Sequence, residues 1–254
     1  MNNKNINKIK FSIITVTKNS EKYLERNILS LKKQIYNNYE HIIIDSNSKD
    51  KTKKILRKYK SGLKILSEED EGLYYAMNKG IKLASGQVIG ILNSDDFYYP
   101  KALKIINDYF TNNPKMDFVF GSTIKYNKIM TGFNPWKIHW TFGFYTTHSV
   151  GFFIKTKSQK KIGFYNTKFK YSADYDYFYR MIVKKKMNGI ATKKNELIGY
   201  FQPGGISDKI KYLDYLNENT KIRLHNNQNY FLVMLIHFLR YIKRWKLIAK
   251  QSKD

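Results

Sequence analysis

The chain has 254 residues, a formal charge of +26, 42% apolar and 16% aromatic residues, and no cysteine. That much apolar matter allows one large domain or two small ones and excludes global disorder. The lack of cysteine excludes disulfides, thiol nucleophiles and thiolate metal sites, so oxygen or histidine must hold any metal.

The charge invites a nucleic-acid reading, yet only six of the 46 basic residues are arginine. Base and phosphate readers lean on arginine's planar fork. A chain rich in lysine, asparagine and isoleucine reads more simply as AT-rich coding, with a preference for anionic surfaces as the alternative. Nucleic acid is not an expected partner. The N-terminal MNNKNINKIKF is polar and lacks the apolar stretch of a secretion signal, so the chain is expected in the cytoplasm.

Phe11-Ser12-Ile13-Ile14-Thr15-Val16 reads as a first strand, and Asn19-Ser20 as a helix start. Leu24, Ile28, Leu31 and Ile35 then recur every three or four residues, one apolar face of that helix. His41-Ile42-Ile43-Ile44 predicts a second strand, Ile55, Leu56 and Tyr59 a helix, and Leu63-Ile65-Leu66 a third strand. Leu73, Met77, Ile81 and Ala84 share a helical face that Ser85-Gly86 closes, and residues 88–92 predict a fourth strand. Pro100 suits the first turn of a helix carrying Leu103, Ile106 and Phe110. Such alternation predicts an α/β fold with a Rossmann-like, mostly parallel sheet and helices on both faces.

From about residue 115 aromatics and glycines dominate (Phe133, Trp136, Trp140, Phe142, Phe144, Phe152, Phe153), which predicts a mixed α+β half. No linker or repeat interrupts residues 1–205, which are expected to form one domain, with residues 206–254 a helical, basic and aromatic tail. Residues 230–248, YFLVMLIHFLRYIKRWKLI, open on an apolar run that is shorter than the roughly 20 residues a bilayer span needs. Lysines and arginines beside Tyr241 and Trp245 suit an interfacial helix on an anionic membrane; packing on the domain or on a second subunit is the equal alternative.

Polar residues cluster after three strand ends: Thr15 to Asn19, Asp45 to Ser48, and Asn93 to Asp96. In open α/β sheets ligands bind at that rim. Asp95 and Asp96 are adjacent carboxylates, which repel unless a cation compensates. Mg²⁺ or Mn²⁺ shared with substrate phosphates would do so; a turn with Asp96 as a cap is the plain alternative. Asp45, delivered by a strand into a small-polar turn, suits a base or ribose, though aspartate also simply favours turns.

Glu68-Glu69-Asp70-Glu71 precedes the helix bearing Asn78 and Lys79. Acids at a helix N-terminus contribute only about 0.3–1 kcal/mol each, too little to account for four. In Ala173-Asp174-Tyr175-Asp176 the two acids cannot share a helix face. Asp176 stands four residues before Arg180 and suits an ordinary ion pair, which leaves Asp174 as the freer general-base candidate. His148 could ligate or touch substrate, but a lone histidine is more often satisfied in a core. Gly204-Gly205 permits close backbone approach and equally suits a turn. No Walker loop, GxGxxG or Ser-His-Asp arrangement appears.

FSIITVTKNSEKYL, HIIIDSNSKDKT, SEEDEGLYYAMNKGIKLASG, VIGILNSDDFYYP and SADYDYFYRM, in this order across residues 11–207, closely resemble the family 2 glycosyltransferases. Within them the chain is similar to the colanic-acid-type branch that builds bacterial surface polysaccharides. The resemblance implies a GT-A fold, with residues 1–100 binding a nucleotide-diphosphate sugar (UDP expected) and residues 101–205 binding a saccharide or polyprenyl-linked acceptor. It implies Mn²⁺ or Mg²⁺ and inversion at the sugar carbon. It places Thr15, Asn19 and Asp45 at the nucleoside, and Asp70, Asn78 and Lys79 on the donor side. Asn93, Asp95 and Asp96 fall at the DxD-like motif, with Asp95 and Asp96 on the metal, and Asp174 falls at the catalytic base.

Three departures stand out. Ser46 replaces a second acid, Asn93 replaces the first aspartate of DxD, and no histidine occurs in Tyr200-Phe201-Gln202-Pro203, so metal binding rests more heavily on Asp95. The alternatives are a polyanion- or membrane-surface-binding protein on a degenerate transferase scaffold, and nucleotidyl transfer, for which no glycine- and arginine-rich triphosphate loop is present.

Overall fold

In the computed structural model, residues 8–140 and 143–252 are described, without the side chains of Ile206 and Ser207. Residues 1–7, on which the N-terminal reading partly rests, and Phe142 lie outside them. The first half runs β1 (Phe11–Thr17), α1 (Leu24–Lys32), β2 (Tyr39–Asp45), α2 (Thr52–Lys58), β3 (Leu63–Ser67), α3 (Leu73–Leu83) and β4 (Val88–Ile91). Then come β5 (Phe97–Tyr98), α4 (Ala102–Asn112), β6 (Phe118–Phe120), β7 (Ser122–Lys125), β8 (Lys128–Met130) and β9 (Phe152–Lys155). The chain ends with α5 (Thr156–Ile162), α6 (Ala173–Tyr179), β10 (Gly189–Ala191), β11 (Leu197–Phe201), α7 (Tyr212–His225) and α8 (Tyr230–Gln251).

All seven residues of β1 are buried, as a central strand covered on both faces requires. It pairs parallel with β2 and β4, and β2 pairs parallel with β3. Antiparallel β9 lies between β4 and β6, giving the order β10-β6-β9-β4-β1-β2-β3. A smaller sheet, β5-β11-β7-β8, stands beside it. Helix α3 lies so close on β1 that a Cβ on Gly80 would sit 2.3 Å from Ile14 Cγ2.

Two sequence expectations shift. Asn19 adopts a left-handed backbone (φ 50°), and α1 begins only at Leu24. Ile35 lies beyond α1 and is exposed. Gln34 takes the inward position instead, because its amide bonds the carbonyls of Ser30 and Tyr99 and the Leu103 N–H.

The segment after residue 205 packs on the fold. Just past the end of α7, Asn226 donates to Asp176 at 2.8 Å, and on α7 the Glu218 carboxylate accepts the backbone N–H groups of Lys170, Tyr171 and Ser172.

His41 is fully enclosed in β2, 2.9 Å from the Thr15 hydroxyl. Burial pushes its imidazole down to about 3. The unfolded chain takes up that proton near pH 6.5, so the stabilisation is full above that pH and is lost as pH falls towards 3. Replacing His41→Gln is expected to flatten the acid side of a melting-temperature profile between those values; an unchanged slope would refute it.

Candidate active site

Thr17, Asp45 and Ser67 stand in register at the carboxyl ends of β1, β2 and β3. Asp45 is fully buried and accepts hydrogen bonds from the Ser48 amide and hydroxyl and from the Ser67 hydroxyl at 2.7 Å. Thr15 lies two residues deeper on the same face. Its hydroxyl turns inward to His41, and the structure does not bring it to the rim. Thr17, which sequence reasoning passed over, has its buried hydroxyl oxygen without a hydrogen-bond partner. Asn19 stitches two rim loops, its N–H donating to Ser48 and its side-chain oxygen accepting from the Lys49 amide.

The acidic cluster before α3 acquires an explanation. Lys79 pairs with Asp70 and with Glu68, and the Ser46 hydroxyl donates to Asp70 at 2.8 Å. Burial alone would lower the Lys79 ammonium, but the hydrogen bonds it donates to Asp70 and Glu68 raise it above its usual value. Asn78 spends both ends of its amide on the Tyr165 backbone, at 2.9 Å each. It ties α3 to the loop before α6.

Residues 93–96 leave β4 as a tight turn, with the Asp96 N–H on the Asn93 carbonyl. Asp96 is buried. One oxygen accepts from the Ser149 hydroxyl at 2.6 Å, the other from the Gln202 amide at 2.8 Å. Burial, and then the Asp95 charge, push its carboxyl up to about 8. Asp95 is half-buried, and Gly205 approaches so closely that a Cβ there would lie 3.0 Å from its Oδ2. Burial raises its carboxyl, the Asp208 charge adds to this, and Arg26 opposes it. Two carboxylates that are both poor anions form a place where a cation is stabilising.

Among the described residues no three His, Asp or Glu side chains converge as a metal site of their own. The rim does supply the Asp95 carboxylate and Asn93 Oδ1, which is buried without a partner. One carboxylate and one amide oxygen fit a hard Mg²⁺ or Mn²⁺ that shares its other positions with substrate phosphates and water. Asp96, expected as a second ligand, has both oxygens engaged.

Asp174, at the start of α6, accepts hydrogen bonds from Tyr74 at 3.1 Å and Tyr145 at 3.3 Å. Asp176 is buried and pairs with Arg180 at 2.9 Å, as the spacing suggests. His148 is enclosed among aromatics, with Nε2 2.8 Å from the Tyr165 hydroxyl.

Two cations escaped sequence reasoning. Arg26 bonds the Asp95 carbonyl at 2.6 Å and the Gln202 side chain at 2.9 Å. Lys125, on β7, sits 4.1 Å from the Phe201 ring centre. Burial lowers its ammonium, while Asp208, Asp96 and Asp174 all act on it to raise it, so the three acids lie within its electrostatic reach. No local motif distinguishes either residue from the other basic residues.

In Asp96→Ala the Ser149 hydroxyl and Gln202 amide lose their buried acceptor, an expected loss of about 1–3 kcal/mol by denaturant unfolding. Asp95→Ala is expected to leave the unfolding midpoint unchanged or raised. Equal losses in the two variants would refute this division.

The profile of Glycosyl transferase family 2 matches residues 12–182. An uncharacterized glycosyltransferase of Methanocaldococcus jannaschii is 30% identical over 186 residues, covering 67% of this chain and 64% of that protein. WfgD of Escherichia coli, named a UDP-Glc:alpha-D-GlcNAc-diphosphoundecaprenol beta-1,3-glucosyltransferase, is 35% identical over 114 residues, 44% of each chain. The chain thus spans less than two thirds of the length of these relatives. Among solved structures, S. aureus TarS in complex with UDP matches with a TM-score of 0.68 at 18% identity, over 93% of this chain and 71% of that one. The mannosyltransferase PcManGT from Pyrobaculum calidifontis, in complex with GDP-Man and Mn²⁺, gives 0.64 at 12% identity, over 97% and 74%. These structural likenesses speak for the fold, which is GT-A. With the family profile running through more than half of the sequence, the chain belongs to glycosyltransferase family 2.

Proposed function

We propose that the chain is an inverting glycosyltransferase working at the cytoplasmic face of a membrane in surface-polysaccharide assembly. It moves a sugar from a UDP-sugar to a hydroxyl of a saccharide or polyprenyl-linked saccharide. The observation that carries this reading is where the two acids stand: Tyr74, at the start of α3 just past the end of β3, donates to Asp174, and Asp95 follows the end of β4. Lys125 lies within electrostatic reach of Asp96, next to Asp95, and of Asp174, which suits a base candidate and a diphosphate-side carboxylate serving one reaction. The WfgD name, with its UDP donor and diphosphoundecaprenol acceptor, and the TarS structures with UDP and UDP-GlcNAc support the choice of donor and acceptor.

Asp174 takes the proton of the acceptor hydroxyl, whose oxygen attacks C1 as the bond from C1 to the diphosphate oxygen breaks. One displacement inverts the sugar carbon and leaves no covalent intermediate. Tyr74 and Tyr145 aim the carboxylate by donating to its two oxygens. Mg²⁺ or Mn²⁺ held through Asp95, with Asn93 beside it, would supply Lewis-acid neutralisation of the leaving diphosphate. Lys125 adds a fixed positive charge on the same side, and Arg26 holds the Asp95 backbone in place. On the donor side, Asp45 and Asn19 shape the nucleoside end of the rim, while the Asp70–Lys79 pair and Asn78 brace α3 beneath it.

Asp174→Asn is expected to cut sugar transfer by about 10²–10⁴-fold while nucleotide-sugar affinity, read by thermal shift with and without Mn²⁺, stays the same; transfer at the wild-type rate would remove Asp174 as the base. For Lys125→Met a roughly tenfold or greater loss of UDP affinity is expected, measured by calorimetry. Unaltered affinity would place Lys125 outside the diphosphate site.

A further inference from the structure

Helix α8 turns Val233, Ile236, Arg240 and Ile248 inward and leaves a second apolar face uncovered. Phe231, Leu235, Phe238, Ile242 and Trp245 repeat at spacings of four and three, so they form one stripe along the helix. All five are exposed, Phe231 at 81%, Phe238 at 59% and Trp245 at 55%. The neighbouring turn, Pro135–Trp140, enlarges the patch: Trp140 meets Ile236 and Leu239 around an apolar hollow of about 220 Å³, and Trp136 is also exposed. Monomeric soluble proteins rarely leave so many large apolar side chains contiguous.

Charge selects the occupant. Besides the inward Arg240, the helix carries Lys243, Arg244, Lys246 and Lys250 and no acidic residue. Lys243, Lys246 and Lys250 are spaced by three and four and flank the stripe, where long stems can lie along an apolar surface with ammonium groups in the headgroup layer. Two copies pairing through this face would set cations against cations with no counter-charge. An anionic lipid surface supplies that counter-charge. No helix among the described residues is long and apolar enough to cross a membrane, so a bilayer could take α8 only along its surface.

On the inward side of α8, away from the stripe, a cavity of about 320 Å³ is lined by Asp208, Ile210, Tyr212, Tyr215, Leu247 and Gln251.

We propose that α8 is a surface anchor whose stripe from Phe231 to Trp245 lies in the headgroup–acyl boundary of an anionic bilayer, so that the rest of the fold works against the surface that carries lipid-linked acceptors. The acceptor part rests on the transferase reading above; the anchor does not.

The test is sedimentation of the full chain with phosphatidylcholine vesicles and with phosphatidylcholine–phosphatidylglycerol vesicles, alongside its oligomeric state in lipid-free buffer. The expected result is a monomer that partitions onto the anionic vesicles, more weakly at high salt, with Trp fluorescence shifted to the blue. In the double variant Phe238→Ser with Trp245→Ser, partitioning falls by at least about tenfold. Its melting temperature and its transfer to a water-soluble saccharide are unchanged, while transfer to a polyprenyl-linked acceptor in vesicles falls with the partitioning. A wild-type chain that stays in the supernatant, binds neutral and anionic vesicles equally, or forms a dimer that the double variant dissolves overturns the anchor. Absence of nucleotide-sugar binding by a chain that still partitions onto anionic vesicles would overturn the transferase reading alone.

Discussion

The Asp96 carboxylate takes one hydrogen bond from Ser149, in the loop before β9, and one from the backbone of Gln202, just past β11. The second contact joins the end of the parallel β4 to the smaller sheet. Together the two engage both oxygens of Asp96, while Asp95 beside it stays half-buried at the rim. The carboxyl is disfavoured as an anion by its burial and by Asp95, yet its removal would leave a buried hydroxyl and amide unpaired. A costly group is therefore held where it organises the rim, and its neighbour is left for ligand.

The same division of labour recurs around the cleft. Asp45, Asn78 and Asp176 are polar and close to the rim, but their hydrogen bonds go to Ser48 and Ser67, to the Tyr165 backbone, and to Arg180 and Asn226. They build the walls. Among the described residues, the buried polar atoms without a hydrogen-bond partner include Thr17 Oγ1 and Asn93 Oδ1, at the ends of β1 and β4 where a polar ligand would meet the strands. Ser46, in place of a second acid, supports Asp70 against Lys79. Positive charge enters the cleft instead from Arg26 on α1 and Lys125 on β7.

Helix α7 links this cleft to the exposed helix. Its Glu218 gathers three backbone N–H groups immediately before Asp174, so the C-terminal segment holds the base candidate in position. Helix α8 packs on α7, and the cavity between them and Asp208 shares the Leu247 wall with α8. A load on α8 from a surface would thus act on the same scaffold that orients Asp174.

Much of this was legible in the chain itself. Runs such as Ile13-Ile14 and Ile42-Ile43-Ile44 are buried whichever partner they find, so periodicity alone located β1 to β4, the α3 face and the rim after β1, β2 and β4, but not the short strands of the second half. The i,i+4 spacing of Asp176 and Arg180 identified their ion pair, because that contact is made within one helix. Long-range contacts could not be read this way. Thr15 and Thr17 share a face, and only the depth of β1 in the sheet separates a core hydroxyl from a rim hydroxyl. Asp95 and Asp96 are chemically identical neighbours until Ser149 and Gln202, far along the chain, engage one of them. Arg26 and Lys125 are unremarkable among 46 basic residues until the fold surrounds them with carboxylates. Local spacing determined the elements and the candidate acids; tertiary packing decided which side chains are walls and which face the cleft, since that depends on partners dozens of residues away.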